Sequence, residues 1–146
     1  MADLAAIKNN VRNMLIAEFG NASENENGNF YIRHNSAMAF ISIGDWQHGD
    51  ENVGVVSVFS IVVAGLKEIN KDLAVELTTN LSRLFSEWFF FQRDDGLYNL
   101  ILKSDMIGAT LDQPELATAV YMVALAADEL DDQIVAKYGG SVYVTD

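Results

Sequence analysis

Cysteine is absent from this 146-residue chain, and proline occurs once, at Pro114. Without cysteine there are no disulfides, no thiolate nucleophile and no cysteine-ligated zinc, and the cytoplasm is the expected compartment. Histidine is scarce, with only His34 and His48. That leaves little material for acid–base catalysis, and no serine stands in a Gly-x-Ser-x-Gly setting. The expectation is therefore a protein with no catalytic residue, no metal and no cofactor. Basic residues are also few, nine Lys and Arg against 21 Asp and Glu, for a net charge of −12. Binding to nucleic acid or to an anionic membrane needs a basic footprint, which this balance denies. The longest apolar run, near Val53–Ala64, is too short and too broken by serine and glycine to span a bilayer. The first residues lack the basic region and apolar run of a signal peptide.

Half of the residues are hydrophobic, enough for a core in one domain over residues 1–146. Residues 3–19 carry Leu4, Ile7, Val11, Met14 and Leu15 at helical spacing, with Gly20 as the stop. Phe30–Arg33 and Ala37–Ile43 read as strands joined by His34-Asn35-Ser36. Residues 44–52 read as a charged loop, and Val53–Ala64 as a central strand apolar on both faces. Asn70 is a natural N-cap for a second helix whose stripe runs through Leu73, Leu77, Leu81, Leu84, Phe85 and Trp88. A third helix starts at Asp112, with Pro114 and Glu115 in its first turn, and ends at Gly139-Gly140. The tail, residues 141–146, contains an alternating Val142-Tyr143-Val144 and reads either as a loose end or as a strand pairing with a sheet edge. The order is helix, three strands, helix, two strands, helix. This predicts an α+β fold with a five-stranded antiparallel sheet and helices on one face.

The two late strands flank Asp95-Gly96, a two-residue hairpin signal. That turn sets Phe91 opposite Leu100, Phe90 opposite Ile101 and Phe89 opposite Leu102. Phe89, Phe91, Tyr98, Leu100 and Leu102 then share one face and form core. Trp88, Phe90 and Ile101, mixed with Gln92 and Asn99, share the other. That second face is too apolar for solvent and too polar for a core, so these five residues are the candidate partner-binding surface, the competing reading being that the second or the N-terminal helix covers them.

The element order, together with the helix from Asn70 through Leu81, the hairpin Phe89-Phe-Phe-Gln-Arg-Asp-Asp-Gly-Leu-Tyr, and the span from Gln113-Pro-Glu-Leu through Ala126-Ala-Asp-Glu-Leu to Gly139, resembles the YbjN-type proteins. These are labelled bacterial sensory transduction regulators and are related in fold to the class I type III secretion chaperones. The resemblance covers nearly the whole chain by order, with the N-terminal third matching by order alone. It implies a small cytoplasmic non-enzyme, often a homodimer, that binds a polypeptide or protein partner in a chaperone-like or regulatory role.

Other clusters have plainer readings. Asp45, His48, Asp50 and Glu51 contain ligand types, but their spacing matches metal patterns poorly, and a solvated loop is the simpler account. His34 sits in a turn without an evident partner. Asp128, Glu129, Asp131 and Asp132 read as a solvated helix face, with a dock for a basic segment as the competing reading. Asp94-Asp95 is turn chemistry. The competing function is a small-molecule or metal-binding domain using a pocket between sheet and helices. It would need converging polar groups in a deep cavity.

Overall fold

A computed structural model describes residues 2–143. The chain runs α1 (Leu4–Phe19), β1 (Ser23–Glu24), β2 (Phe30–His34), β3 (Ala37–His48), β4 (Glu51–Leu66), α2 (Lys71–Thr78), β5 (Glu87–Gln92), β6 (Tyr98–Ile107), a 3₁₀ turn (Gly108–Thr110), α3 (Gln113–Tyr138) and β7 (Ser141–Val142). The strands form one antiparallel sheet in the order β1-β2-β3-β4-β6-β5, with β7 attached to β4. The α+β order is as expected, but the described residues hold seven strands rather than five. The two additions, β1 and β7, are two residues each, below the length at which alternation can be recognised in a sequence.

The caps are chemical. Asp3 accepts the Ala6 N–H at 3.0 Å, Asn70 accepts from Asp72 and Leu73, and Asp112 accepts from Glu115. Gly20 closes α1 in the left-handed region at φ 79°, as a C-terminal glycine can without strain. β4 alternates inward Val56, Val58, Ser60 and Val62 with outward Val55, Ser57, Phe59 and Ile61. Two adjoining core clusters lie on one side of the sheet, while Phe40 and Ile101 are buried among their neighbours on the other. The first joins Ile7, Val11 and Leu15 of α1 to Phe30, Ile32, Ile41, Val56, Val58 and the first half of α3. The second joins Leu73 and Leu77 of α2 to Leu66, Leu100, Leu102 and the second half of α3. Ile7 fits where Gly54 and Gly108 leave room; a Cβ at either position would run into its side chain.

Three expectations are corrected. Residues 44–52 are not a loop. They are the tip of a long β3–β4 hairpin, paired as Asp45↔Gly54, Trp46↔Val53, Gln47↔Asn52 and His48↔Glu51 around Gly49-Asp50. Both sides of this arm are exposed, so it lacks the buried apolar positions by which a strand shows itself.

The second helix stops at Thr78 instead of running on to Trp88. The Thr78 and Thr79 hydroxyls donate back to the Ala74, Val75 and Glu76 carbonyls, and Thr79 leaves helical geometry at ψ −88°. Such back-bonding by β-branched residues weakens a helix end. Leu84 and Phe85 consequently sit in solvent rather than on a buried stripe.

The third correction is the β5–β6 register. The observed pairs are Glu87↔Lys103, Trp88↔Leu102, Phe89↔Ile101, Phe90↔Leu100, Phe91↔Asn99 and Gln92↔Tyr98, one residue off the expectation. The loop has three residues, Asp94-Asp95-Gly96. Gly96 N–H donates to the Arg93 carbonyl, Arg93 N–H donates to the Leu97 carbonyl, and Gly96 alone takes positive φ, 82°. This is a type I turn followed by a left-handed glycine. The two-residue alternative would also force Asp95 to positive φ, which costs about 1–2 kcal/mol for a residue with a Cβ. Here Asp95 instead accepts the Leu97 N–H at 3.1 Å and the Arg93 guanidinium at 2.6 Å.

Candidate functional site

A slip of one residue exchanges the faces of β5 relative to β6. Trp88 and Phe90 point inward and pack on the second core cluster beside Leu100 and Leu102. The Trp88 indole N–H donates to the Leu81 carbonyl at 2.9 Å, anchoring the irregular segment after α2. Gln92 lies on the same side of the strand, exposed at its end opposite Tyr98. Of the five candidate contact residues, only Ile101 and Asn99 face outward, where they pair with Phe89 and Phe91. The structure therefore does not bring Trp88, Phe90, Gln92, Asn99 and Ile101 together on one surface. Phe89 and Phe91 replace the two inward aromatics there, and Phe91 is 53 % exposed rather than core.

This outward face is continuous across the sheet, because the registers align its residues in rows. Asn99 and Phe91 form one end. Ile61, Ile101 and Phe89 form the next row. Tyr31, Phe40, Phe59, Lys103 and Glu87 follow, then Ser42, Ser57 and Asp105, then Gly44, Val55 and Ile107. Trp46 and Val53 finish it on the arm. Two apolar patches are thus separated by a narrow polar row. Phe40 and Phe59 stack at 5.3 Å, and Trp46, 56 % exposed, stacks on His48 at 5.0 Å.

The charges at the polar row are paired, one lysine between two carboxylates. Lys103 Nζ lies 3.0 Å from Asp105 and 3.3 Å from Glu87, and 5.2 Å over the Phe89 ring. The Ser57 hydroxyl donates to Asp105 at 2.5 Å. Hydrogen bonding to Asp105, then to Glu87, holds the Lys103 ammonium above its usual range, so it stays charged at neutral pH. The ladder between β5 and β6 ends at Glu87↔Lys103, so Ser104–Ile107 has no strand on that side among the described residues. A hollow of about 440 Å³ opens beside this edge, lined by Phe85, Met106, Pro114, Ala119 and Met122, with Asp105 and Glu115 at its rim. Phe85 takes positive φ, 59°, and is 74 % exposed.

The remaining candidates are placed as follows. Asp45, His48, Asp50 and Glu51 lie on the exposed arm. Among the described residues no group of three or more His, Asp or Glu side chains is arranged to hold a metal ion. The acidic run on α3 splits up. Glu129 reaches Arg83 at 3.7 Å and Asp132 is exposed, but Asp128 and Asp131 clasp the β2–β3 turn. Asp128 accepts from the Asn35 amide at 3.1 Å, the Ser36 N–H at 3.1 Å and the Ser36 hydroxyl at 2.6 Å. The Ser36 hydroxyl also lies 3.3 Å from Asp131. These two carboxylates are a structural latch rather than a solvated face, and no sequence signal links positions so far apart.

The latch has a pH signature. Hydrogen bonds from Ser36, then Asn35, lower the Asp128 carboxyl, while burial pushes Asp131 up, with Asp132 and Asp128 adding like charge. A carboxyl raised in the fold is penalised only when charged. Its cost is absent below the unfolded value of about 3.9 and complete once pH exceeds the raised folded value. Asp131, 3 % exposed, is therefore a liability at neutral pH. Asp131→Asn should melt above the parent at pH 7 and level with it at pH 3, as read by circular dichroism. A variant that melts lower at pH 7 would show that the charge is needed.

Residues 5–146 match the family described as T3SS (YopN, CesT) and YbjN peptide-binding chaperone 1. No curated protein matches the chain by sequence. Solved structures share its fold at low identity. The Yersinia pestis type III secretion chaperone SycH, crystallised with a stable fragment of YscM2, superposes with a TM-score of 0.54 at 16 % identity, over 84 % of this chain and 98 % of that one. YbjN from E. coli superposes at 0.53 and 16 % identity, over 86 % and 92 %. The HopA1–SchA chaperone–effector complex gives 0.56 and 12 % identity, over 90 % and 99 %. These likenesses establish the fold, and the match across all but the first four residues establishes the family: the chain belongs to the peptide-binding chaperones that group YbjN with the type III secretion chaperones.

Proposed function

We propose that this protein is a non-enzymatic chaperone of the cytoplasm that works as a homodimer and takes an extended polypeptide onto the outward face of its sheet. The observation that carries this reading is a sheet with all its packed helices on one side. The other side presents Phe89, Phe91, Phe59, Val55, Ile107 and Trp46, each at least partly exposed, with no helix over them among the described residues. An uncovered apolar sheet face of this kind is an interaction surface. Edge strands with exposed aromatics pair with other chains unless something covers them. β5 is such an edge.

A two-fold axis beside β5 sets two copies of the strand antiparallel. It takes the exposed surface of Phe91 and Phe89 out of water by a self-complementary contact. The remaining face, from Phe40 to Trp46, is left for the partner. The SycH and HopA1–SchA structures support a polypeptide partner, since each holds a chaperone with a bound protein or fragment. The charge of −12 argues against nucleic acid as the ligand.

Light scattering over a dilution series is expected to report twice the chain mass at micromolar concentration and dissociation on dilution. A permanently unfolded protein, reduced and carboxymethylated lactalbumin, should bind this dimer. A monomer at every concentration would remove the homodimer, and no binding of the unfolded probe would remove the chaperone reading.

A further inference from the structure

The C-terminal tail is already seated as an extended segment on this sheet. The β3–β4 ladder runs only to Phe40↔Phe59, and four residues further along β4 the tail takes up a strand position, with Val142 opposite Val63 and Ser141 opposite Ala64. Two glycines deliver it. Gly139, at φ 90° and ψ −161°, turns the chain out of α3 in a conformation open essentially to glycine alone. Gly140, at φ 75°, passes so close to β4 that a Cβ would lie 2.7 Å from Val63 Cγ1 and 2.8 Å from the Ala64 carbonyl.

Tyr143, which follows the paired Ser141 and Val142, reaches the outward face and meets Phe40 edge-on at 6.2 Å. It forms part of the wall of a hollow of about 490 Å³ shared with Tyr31, Arg33, Met38 and Phe40. The attachment is slight: two paired residues and a long Ser141 hydroxyl bond to the Ala64 carbonyl at 3.4 Å. Val144, which the alternation also included, lies outside the described residues.

We propose that Ser141–Tyr143 is a resident occupant of a polypeptide site, a strand slot on β4 with an aromatic hollow beside it, and that the incoming partner is an extended segment that displaces the tail and places an aromatic side chain where Tyr143 sits. This rests on the polypeptide-binding reading and adds its regulation. The slot demonstrably accepts extended chain, because the tail is in it. The hold is weak enough to be exchanged, because a two-residue strand contributes little pairing. Tethering compensates, since a segment on a short linker acts at an effective concentration of the order of millimolar. A partner therefore has to outcompete the tail, which screens out weak and unspecific chains.

The absence of cysteine makes a clean test available. Ala64 and Ser141 face each other directly, a spacing within reach of a disulfide. The Ala64→Cys/Ser141→Cys protein can be measured oxidised, with the tail locked, and reduced, with it free to leave. Tyr143→Ala gives a third form with the tail loosened by loss of one side chain. Two probes are titrated by fluorescence anisotropy: a labelled peptide of residues 139–146, and labelled carboxymethylated lactalbumin.

Both probes should bind the reduced form at least about tenfold more tightly than the oxidised form, and Tyr143→Ala more tightly than the parent, as expected when an internal competitor is removed. Matching circular dichroism spectra confirm that the three forms are folded, with a higher urea midpoint expected for the oxidised form, because the disulfide closes a long loop. If lactalbumin binds the locked and free forms equally, the chain is still a polypeptide binder and the tail has no role in it. If neither probe binds any form, the polypeptide reading fails together with the slot.

Discussion

Leu102→Ala should lower the unfolding free energy by about 2–5 kcal/mol, the range for removing a fully buried leucine, whereas Phe91→Ala should change it by roughly 0.5 kcal/mol or less, as for a surface substitution. Leu102 is wholly inaccessible and packs in the second cluster with Leu100, Leu66 and Leu130. Its truncation leaves a cavity bounded by α3 and β4, two elements that cannot close on it without disturbing the rest. Against a total of about 5–15 kcal/mol for a domain, the loss is large enough to populate unfolded chain at moderate temperature. Urea unfolding of both variants, at concentrations low enough to keep monomer, reads the two numbers. The pair also tests the hairpin register. With Asp95-Gly96 as a two-residue turn, Phe91 would be a core residue and its loss would rival that of Leu102.

The second large effect is on association. Phe91→Glu should weaken the proposed dimer by about 2–4 kcal/mol, roughly 30- to 1,000-fold in dissociation constant, since aromatic residues at the centre of an interface dominate its energy. The fold should persist, because the substituted side chain already stands largely in water. Ile107→Glu, on the far patch beside Val55 and Trp46, should leave the dimer intact and reduce capture of the unfolded probe. Analytical ultracentrifugation separates the two. A Phe91→Glu protein that dimerises like the parent would exclude β5 as the two-fold contact.

The sequence carried most of the architecture, because its signals were local and redundant. Ile7, Val11 and Leu15 fall four apart and are the buried stripe of α1. Asp112, Pro114 and Gly139 mark both ends of α3. What it did not carry depended on choices that many residues make together. Asp95-Gly96 permits both a two- and a three-residue hairpin, and the decision rests on which of Trp88/Phe90 or Phe89/Phe91 reaches the core. Both pairs are equally apolar, so the pattern is silent. Leu81, Leu84 and Phe85 are spaced as a helical stripe, yet Thr78-Thr79 ends the helix before them. The candidate surface was thus legible as a kind of face and misassigned in its members, because one residue of register decides them all.

The long helix α3 has a consequence for how the molecule loosens. Its first half, Leu116 to Ala124, belongs to the cluster of α1 and β2–β4, and its second half, Ala126 to Ile134, to the cluster of α2, β5 and β6. The two halves of the interior are joined by α3, β4 and the ends of β3 and β6, whereas α2 and β5 touch the second cluster alone. Such a chain opens in parts: the half holding the short α2 and the edge strand β5 can part from the sheet while the other half stays closed. Backbone amides of β5 and α2 should then exchange with solvent deuterium through a smaller opening than those of α1 and central β4. The protein would carry a standing, shallow excited state in which its proposed two-fold edge is unmade, so that subunit exchange need not wait for unfolding.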